Sequence, residues 1–272
     1  MKKIAVLIMV VMAVLSLAAC NLFGGSDVGV YEYKTDNYIE STGDYSPTSD
    51  VSVVQINWVA GNVRVVEGNV SKVNVRETAV GESAKVHYYY RVSNGTLSIA
   101  FAKNGTTVSK ISKDLTVTVP KGKEIDLEVE SVSATVHAEL STMGKMRVET
   151  VSGRAECKVT ELNKAEFETV SGSVNMIADH VSTTSVETVS GNVSLSYKQM
   201  FQSLDVESVS GGATITMPHD ASFTLDVSTE SGSVSTGDYA CTISGKRYIV
   251  GKGDAEIKVE TVSGNVNLKK AA

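Results

Sequence analysis

Apolar and polar residues alternate along much of the chain, and a short motif interrupts the alternation at regular intervals. The motif, Val-Glu-Thr-Val-Ser-Gly or a close variant, stands at 148–153, 167–172, 186–191, 206–211 and 259–264. Weaker copies stand at 129–134 and 227–232. The closing residues of successive copies, Ala134 and then glycines, lie 19, 19, 19, 20, 21 and 32 residues apart. So constant a period indicates a repeat architecture.

Each copy of the motif leads into a strand pattern. Ala155, Cys157 and Val159 alternate with polar residues after Gly153, which is the period of a half-buried β-strand. The apolar phase slips by one residue inside the motif, so we expect the chain to turn a corner there. Glycine suits a corner because it tolerates both positive φ and close backbone approach.

The length of the repeat predicts the fold class. Nineteen extended residues span about 60 Å, which suits one circuit of a small coil with two or three short faces. One circuit cannot bury its own apolar face, whereas stacked circuits enclose a continuous core. We therefore predict an all-β, single-chain β-solenoid with coils of about 19–20 residues, stacked at roughly 4.8 Å. The alternative, a β-meander or sandwich of repeated hairpins, rarely holds so fixed a period.

The first residues have the three parts of a secretory signal. Met1-Lys2-Lys3 is basic, Ile4–Leu15 is apolar but too short to span a bilayer, and small residues precede Cys20. The run Leu17-Ala18-Ala19-Cys20 resembles the bacterial lipobox, which is cut just before its cysteine. The resemblance implies a mature chain that begins with an acylated Cys20 and is anchored in membrane lipid, facing outside the cytoplasm.

These patterns divide the chain into four regions. Residues 1–19 are predicted to be a lipoprotein signal peptide, and 20–50, rich in polar residues without apolar period, the lipidated N-terminus and tether. Residues 51–125 are predicted to form an N-terminal β region of the solenoid with hairpins, and 126–272 the regular repeats. The 32-residue interval predicts an inserted hairpin near 238–254 that protrudes from one face.

Two features of the N-terminal β region stand out. Asn94-Gly95 lies between two strand patterns and predicts a hairpin turn. The stretch Trp58–Val65 looks like a divergent copy of the repeat. We expect Trp58, the single tryptophan, to serve the core or an N-terminal cap rather than to stack on a sugar.

Charge and cysteine usage exclude some functions. The formal net charge is −6, and loss of Lys2 and Lys3 with the signal peptide makes it −8, so a nucleic-acid partner is excluded. Cys157 and Cys241 fall about four coils apart, nearly 20 Å, which is too far for a disulfide. We expect no disulfide, and Cys157 as a small core residue.

The sequence contains no motif typical of catalysis, cofactor binding or metal binding. The four histidines form no metal-binding spacing, and Gly251-Lys252-Gly253 only half-matches a dinucleotide fingerprint. No catalytic residue, metal site or cofactor is therefore predicted. The regular acids are the one candidate site: Glu130, Glu149, Glu168, Glu187 and Glu207 share a repeat position and should form a ladder. The ladder is either a solvated row that prevents aggregation or a surface for cations or a basic peptide.

Taken together, the repeat units, the Leu115–Lys121 stretch and the Trp58–Val65 stretch resemble a bacterial family known as putative adhesins, which contains a domain of unknown function. The resemblance covers about residues 50–270 and implies a β-solenoid. We expect a membrane-anchored cell-envelope lipoprotein that is not an enzyme and binds an envelope protein, peptide or glycan. The alternatives are an envelope-stress or regulatory lipoprotein with a membrane partner, and a polysaccharide-active β-helix enzyme.

Overall fold

The computed structural model describes residues 29–245 and 247–271. The predicted signal peptide and Cys20 lie outside these residues. Within them, no helix has the length and apolar character that crossing a membrane requires.

The described residues form twenty β-strands and a 3-10 helix at Gly81–Lys85. The strands before the regular repeats are β1 (Ile39–Glu40), β2 (Val53–Trp58), β3 (Asn62–Gly68), β4 (Asn74–Thr78), β5 (Tyr89–Ser93), β6 (Thr96–Ala100) and β7 (Asp114–Pro120). The next are β8 (Ile125–Ser131), β9 (Thr135–Thr150), β10 (Ala155–Thr169), β11 (Val174–Thr188), β12 (Val193–Tyr197), β13 (Ser203–Ser208) and β14 (Ala213–Met217). The last are β15 (Phe223–Thr229), β16 (Val234–Ser235), β17 (Thr242–Ser244), β18 (Arg247–Val250), β19 (Ala255–Thr261) and β20 (Val266–Lys270).

The strands stack in two parallel arrays that enclose one core. Sheet A contains the strands that lead into each glycine corner, and sheet B contains the strands that leave it. The long strands β9, β10 and β11 bend midway and contribute to both sheets, in a register of 19 residues that pairs Glu149 with Glu168 and Glu168 with Glu187. Alternate side chains of both sheets are buried in a single cluster. The prediction of an all-β solenoid is confirmed.

Nine coils, each a strand of sheet A, a corner and a strand of sheet B, stack over about 38 Å. From one end of the stack to the other they are coil 1 (96–120), coil 2 (53–68), coil 3 (125–140), coil 4 (143–159), coil 5 (162–178), coil 6 (181–197), coil 7 (203–217), coil 8 (255–270) and coil 9 (223–235).

The spatial order departs from the chain order at both ends. Coil 2 lies between coils 1 and 3, because β2 pairs with β6 and β8. Coil 8 lies between coils 7 and 9, because β19 pairs with β13 and β15. The expectation that successive repeats lie directly over one another is therefore wrong at the two ends, where a similar coil from elsewhere in the chain is inserted.

The corners explain the Thr-Val-Ser-Gly sequence. The buried Thr169 hydroxyl accepts a hydrogen bond from the Gly172 N–H (2.8 Å), which closes the turn. The Ser171 hydroxyl donates to the Val151 carbonyl of the preceding coil (3.2 Å). The same two bonds recur at the corners of the other motif copies.

Glycine is required at these corners for space alone. A Cβ on Gly153, Gly172 or Gly191 would overlap the carbonyl oxygen of the corner residue one coil below. None of these three glycines has positive φ, so that part of the expectation is wrong. The corner of coil 2 differs, because Gly61 combines the close approach, against Lys113, with a φ of 105°.

The N-terminal end is capped by aromatic residues that lie outside the repeat. Trp58 is buried with its ring edge-on to Phe101, and its indole N–H donates to the Lys113 carbonyl (2.9 Å). This position confirms a core role for Trp58. The predicted turn at Asn94-Gly95 is present between β5 and β6, with positive φ at both residues.

Residues 29–50 do not behave as a tether. Tyr31 is buried, and its hydroxyl donates to the Asn57 side chain (2.8 Å). The backbone at Val30 bridges to Thr107 in coil 1, and β1 pairs antiparallel with β5. This segment lacks apolar periodicity because it packs by single tyrosines on the end of the stack. A tether is left only for residues 20–28, outside the described residues.

Candidate functional site

The outer face of sheet A carries most of the charge of the repeat region, and we call it the acidic face. Three rows of outward side chains run along the stack, one from each outward strand position. The acids on this face are Asp126, Glu128, Glu130, Glu149, Glu166, Glu168, Glu187, Asp205, Glu207, Asp226, Glu256 and Glu260. The bases on the strands of the coils are Lys145, Arg147, Lys164 and Lys258, and Arg247 faces Asp226 at the C-terminal edge. Acids outnumber bases on this face, so it is strongly negative.

The predicted glutamate ladder is the central feature of the acidic face. Glu130, Glu149, Glu168, Glu187 and Glu207 occupy directly paired positions on adjacent strands. The row continues to Glu260, because coil 8 rather than coil 9 follows coil 7. The structure thus brings the predicted ladder together and adds one residue that chain order placed elsewhere.

The ladder is less solvated than a surface row. The side chains of Glu149 and Glu168 are only 13% and 19% exposed, because flanking rows of long side chains cover their stems. The row faces outward, as expected of a solvated row, but its carboxylates are only partly exposed. Half-burial strengthens the repulsion between neighbouring carboxylates, and the molecule needs cations within the face to offset it.

Two basic residues supply this positive charge. Each stands two positions before a glutamate of the ladder. Arg147 forms an ion pair with Glu149 (2.5 Å) and donates a hydrogen bond to Glu168 in the next coil (2.9 Å). Lys258 contacts Glu260 (2.8 Å) and lies 3.7 Å from Glu207. Each cation therefore bridges two coils.

Burial changes the pKa values of the glutamates in the ladder. It raises the pKa of Glu130, Glu168 and Glu187 above the ordinary carboxyl value, and repulsion from adjacent acids adds to the effect. For Glu187 the repelling groups are Glu207 and Asp205, and neither Arg147 nor Lys258 makes an ion pair with it. The least compensated part of the ladder therefore lies midway between the two cations.

The chemistry open to this face is electrostatic. Among residues 29–245 and 247–271, no group of three or more histidine, cysteine or acidic side chains is arranged to hold a metal ion. The acids stand in straight rows, a strand spacing apart, and do not converge on a point where a substrate atom could sit. Such an arrangement fits the presentation of charge to an extended partner.

The outer face of sheet B offers a second surface, a groove of about 500 Å³ where sheet B bends toward sheet A. Its charged lining pairs internally: Lys158 contacts Glu139 (2.9 Å), and Lys198 contacts Asp179 (2.8 Å). Beyond coil 5 the outward residues of sheet B are mainly uncharged Ser, Thr and Asn. The two outer faces of the solenoid are therefore electrostatically different.

The remaining predicted features take up separate positions. Cys157 is buried, and burial raises the pKa of its thiol to about 12, which makes it inert. Cys241 is partly exposed, and both thiols are free. The predicted hairpin is β17–β18, but it does not protrude, because β18 pairs antiparallel with β15 and extends sheet A past coil 9.

The architecture defines the class of molecule: a two-sheet β-solenoid with stacked glycine corners and capped ends. Residues 176–269 match the family model described as Toastrack DUF4097. The predicted resemblance to a family with a domain of unknown function is confirmed over these residues.

Solved structures with a similar fold come from several bacteria. A putative adhesin from Bacteroides fragilis is 12% identical with a TM-score of 0.42, over 86% of this chain and 97% of that chain. A putative lipid binding protein from Parabacteroides distasonis is 12% identical with a TM-score of 0.38, over 86% and 98%. A putative cell adhesion protein from Clostridium sporogenes is 15% identical with a TM-score of 0.32, over 86% and 100%. No curated protein matches the sequence.

Proposed function

We propose that this protein is a lipid-anchored, extracytoplasmic binding module of the adhesin type, without catalytic activity. The observation that carries the proposal is the regular display of charge along a rigid stack of coils. The acidic face repeats one carboxylate per coil from Glu130 to Glu260, and the two cations beside this row, Arg147 and Lys258, each bridge two coils. A surface of this kind recognises an extended partner, such as a peptide or glycan of the envelope.

The proposed membrane anchor is an acylated Cys20. The lipobox-like run ending at Cys20 supports acylation, and two or more acyl chains give lasting membrane attachment. Gly29 lies nine positions after Cys20 in the sequence, which allows a reach of about 30 Å at most. Because Val30 packs on coil 1, the N-terminal end of the stack would face the membrane and coil 9 would point away.

Acylation is tested by replacing Cys20 in cells that export the full chain. In Cys20→Ala the protein should move from the membrane fraction to the soluble extracytoplasmic fraction and lose its acyl mass. Cys241→Ala is the matched control, because it removes a partly exposed thiol without touching the signal. Membrane attachment of Cys20→Ala, with an unchanged mass at the N-terminus, would contradict the anchor.

Binding is tested with the full chain in detergent micelles on arrays of envelope glycans, matrix proteins and cationic peptides. We expect saturable binding to one class and no covalent change of the bound partner. The variant Glu168→Gln/Glu187→Gln should weaken binding if the acidic face is the contact surface, whereas Glu139→Gln on sheet B should not. Turnover of a glycan would contradict the absence of catalytic activity. Saturable binding that Glu168→Gln/Glu187→Gln leaves unchanged would contradict a binding role of the acidic face.

A further inference from the structure

Coil 8 occupies a position that chain order assigns to coil 9. The chain leaves coil 7 at Met217 and enters coil 9 at Phe223, but coil 8, residues 255–270, lies between them. Both strands of coil 8 are paired on both sides: β19 with β13 and β15, and β20 with β14 and β16. Coil 8 is therefore held by two interfaces that resemble each other.

Coil 9 has the residues needed to stack directly on coil 7. In the common register, Leu225 and Val227 of β15 take the same inward positions as Ile257 and Val259 of β19, which pair with Leu204 and Val206. At the corner, Gly232 and Gly264 each lack the Cβ that the carbonyl below would exclude. Outward, Ser228 would face Glu207 in place of Glu260, which removes one repulsive carboxylate pair.

The connections permit both arrangements. Five residues, 198–202, link β12 to β13 across a one-coil step, and five residues, 218–222, link β14 to β15 across a two-coil step. The return path to coil 8 runs through 236–254, and it turns at Gly251 and Gly253, both with positive φ. This turn is held by the Ser222 hydroxyl, which accepts hydrogen bonds from the N–H groups of residues 252, 253 and 254.

We propose that coil 8 is an exchangeable element that can insert between coils 7 and 9 of a second copy of this chain. Exchange proceeds through a state in which coil 9 stacks on coil 7. This state replaces two coil interfaces with one, so one coil interface is lost while coil 8 is free, together with contacts of the connection 236–254 such as that of Tyr239 with the Lys269 carbonyl. The freed coil exposes Ile257, Val259, Val266 and Leu268, and a matching slot for this apolar row exists in another copy of the same chain.

The occupant is a second copy because the slot is specific for this repeat. It requires a corner glycine on the inserted coil, apolar residues in the β19 register and a hydroxyl three residues before the glycine, as Thr261 provides (2.8 Å). Residues 236–254 reach about 60 Å when extended, well beyond the width of one coil, once β18 has left β15 and the buried Tyr239 has released the Met217 and Pro218 carbonyls. Copies anchored in one membrane would meet in the same orientation, although exchange does not depend on the anchor.

The test uses disulfides between outward positions in the full chain with Cys241→Ala. Glu207 and Glu260 are directly paired, so Glu207→Cys/Glu260→Cys in one chain should oxidise readily and shows that the site folds and reacts. Cells that co-express two chains, one with Glu207→Cys and one with Glu260→Cys, should yield a covalent heterodimer after oxidation. Co-expression of Glu207→Cys with Glu139→Cys, which lies on sheet B, should yield none.

A second pair reports the intermediate. Glu207 and Ser228 lie two coils apart, about 10 Å, which is too far for a disulfide, so Glu207→Cys/Ser228→Cys crosslinks only when coil 9 sits on coil 7. Gly264→Ala weakens the stacking of coil 8 in its own chain and in a second copy. It should therefore increase the Glu207→Cys/Ser228→Cys crosslink within one chain and abolish the heterodimer of co-expressed chains. The proposal is overturned if the single-chain Glu207–Glu260 pair oxidises fully while the co-expressed chains form no more dimer than the control.

Discussion

The two ends of the solenoid share a topology and differ in chemistry. At each end one coil is inserted out of chain order, coil 2 beneath coil 1 and coil 8 beneath coil 9. At the N-terminal end the covering coil is unlike the repeat and is held by a buried ion pair and aromatic rings. At the C-terminal end the covering coil is a weaker copy of the repeat, held by a backbone turn, by the pairing of β18 with β15 and by the buried Tyr239, which packs edge-on to Phe223, without a buried ion pair among the residues described there. A buried ion pair therefore fixes the position of coil 1, whereas coil 9 carries residues that can pair with coil 7 as well as with coil 8.

The lock at the N-terminal end is Lys113. Its fully buried ammonium donates to the carbonyls of Phe101 (2.5 Å) and Val86 (2.8 Å) and contacts the Glu77 carboxylate (2.5 Å). Burial lowers the pKa of Lys113, and Glu77 opposes that shift. Because three acceptors surround three donors, the charged group is satisfied in one arrangement only. The C-terminal end has no buried charge of this kind among its described residues.

The largest effect is expected when this lock is removed. Lys113→Met leaves Glu77 half of a broken buried pair, and it should lower the free energy of unfolding by about 3–5 kcal/mol. Lys270→Met is the matched variant at the other end, where the ammonium lies 5.1 Å from the Tyr239 ring and is partly exposed, and it should cost less than about 1 kcal/mol. Urea unfolding of both variants measures the difference. Equal losses would mean that the two ends are closed with similar strength.

The ion pair can be separated from the packing of the lysine stem. In Lys113→Met/Glu77→Leu no charge is left buried, so part of the loss should be recovered. A double variant that is as unstable as Lys113→Met would assign the cost to the carbonyl contacts of the ammonium and not to Glu77.

Corner glycines provide the second contrast between the ends. Gly61→Ala meets the Lys113 backbone and also places alanine at a φ of 105°, so it should cost about 3 kcal/mol or more. Gly264→Ala meets the Gly211 carbonyl and the Thr261 hydroxyl, without positive φ, and coil 8 can shift, so about 2 kcal/mol is expected. Gly212→Ala, with its Cβ 3.4 Å from the Asn265 carbonyl, should be near neutral. Thermal unfolding of the three variants checks the order.

The sequence predicted the coils but not their order at the ends. The period, the corner and the inward residues follow from the motif, because each copy must bury the same apolar positions. The motif does not determine which coil packs beside a given coil. Val206 packs on Val259 of coil 8, and it could pack equally well on Val227 of coil 9. The cap on coil 1 was also missed, because Lys113 and Glu77 stand 36 positions apart in segments without any repeat.

The candidate site was predicted in part for the same reason. The glutamates recur at a fixed position, so their alignment follows from the period alone. Their counter-charges do not recur: the outward position two residues before the glutamate holds Arg147 and Lys258 in two coils and Ser185 in another. Comparison of that second column along the repeats would have located both cations. Half-burial of the ladder depends on the flanking side chains and could not be read from the period.

The turn that holds coil 8 gives a smaller, local effect. Ser222→Ala removes the acceptor for three backbone N–H groups, and water can reach them, so a loss of about 1 kcal/mol is expected. Hydrogen exchange of the amides at 252–254 should accelerate, while exchange near Lys113 should not change. Ser228→Ala, an exposed position on β15, is the control. Acceleration at both ends would show that the ends unfold together and that their difference in closure has no local consequence.

The smallest effect concerns the ladder between the two ends. Its cations sit toward each end, at Arg147 and Lys258, and Glu187 lies between them with a raised pKa. A carboxyl whose pKa is raised on folding holds its proton in the folded state at a pH where the unfolded chain has lost it. Its contribution to stability is therefore present below its unfolded pKa of about 4.5 and is lost as the pH rises through the higher folded value.

Glu187→Gln removes that dependence. At neutral pH the variant should be a few tenths of a kcal/mol more stable than the parent, because one repulsive pair with Glu207 disappears. The parent should gain stability as the pH falls from 7 toward the unfolded pKa of about 4.5, and the variant should gain less, as measured by urea midpoints across that range. Glu139→Gln, which breaks an exposed pair with Lys158 on sheet B, should not flatten the profile. An identical profile for Glu187→Gln and the parent would place the uncompensated charge elsewhere on the acidic face, most directly at Glu130, whose pKa is also raised by burial.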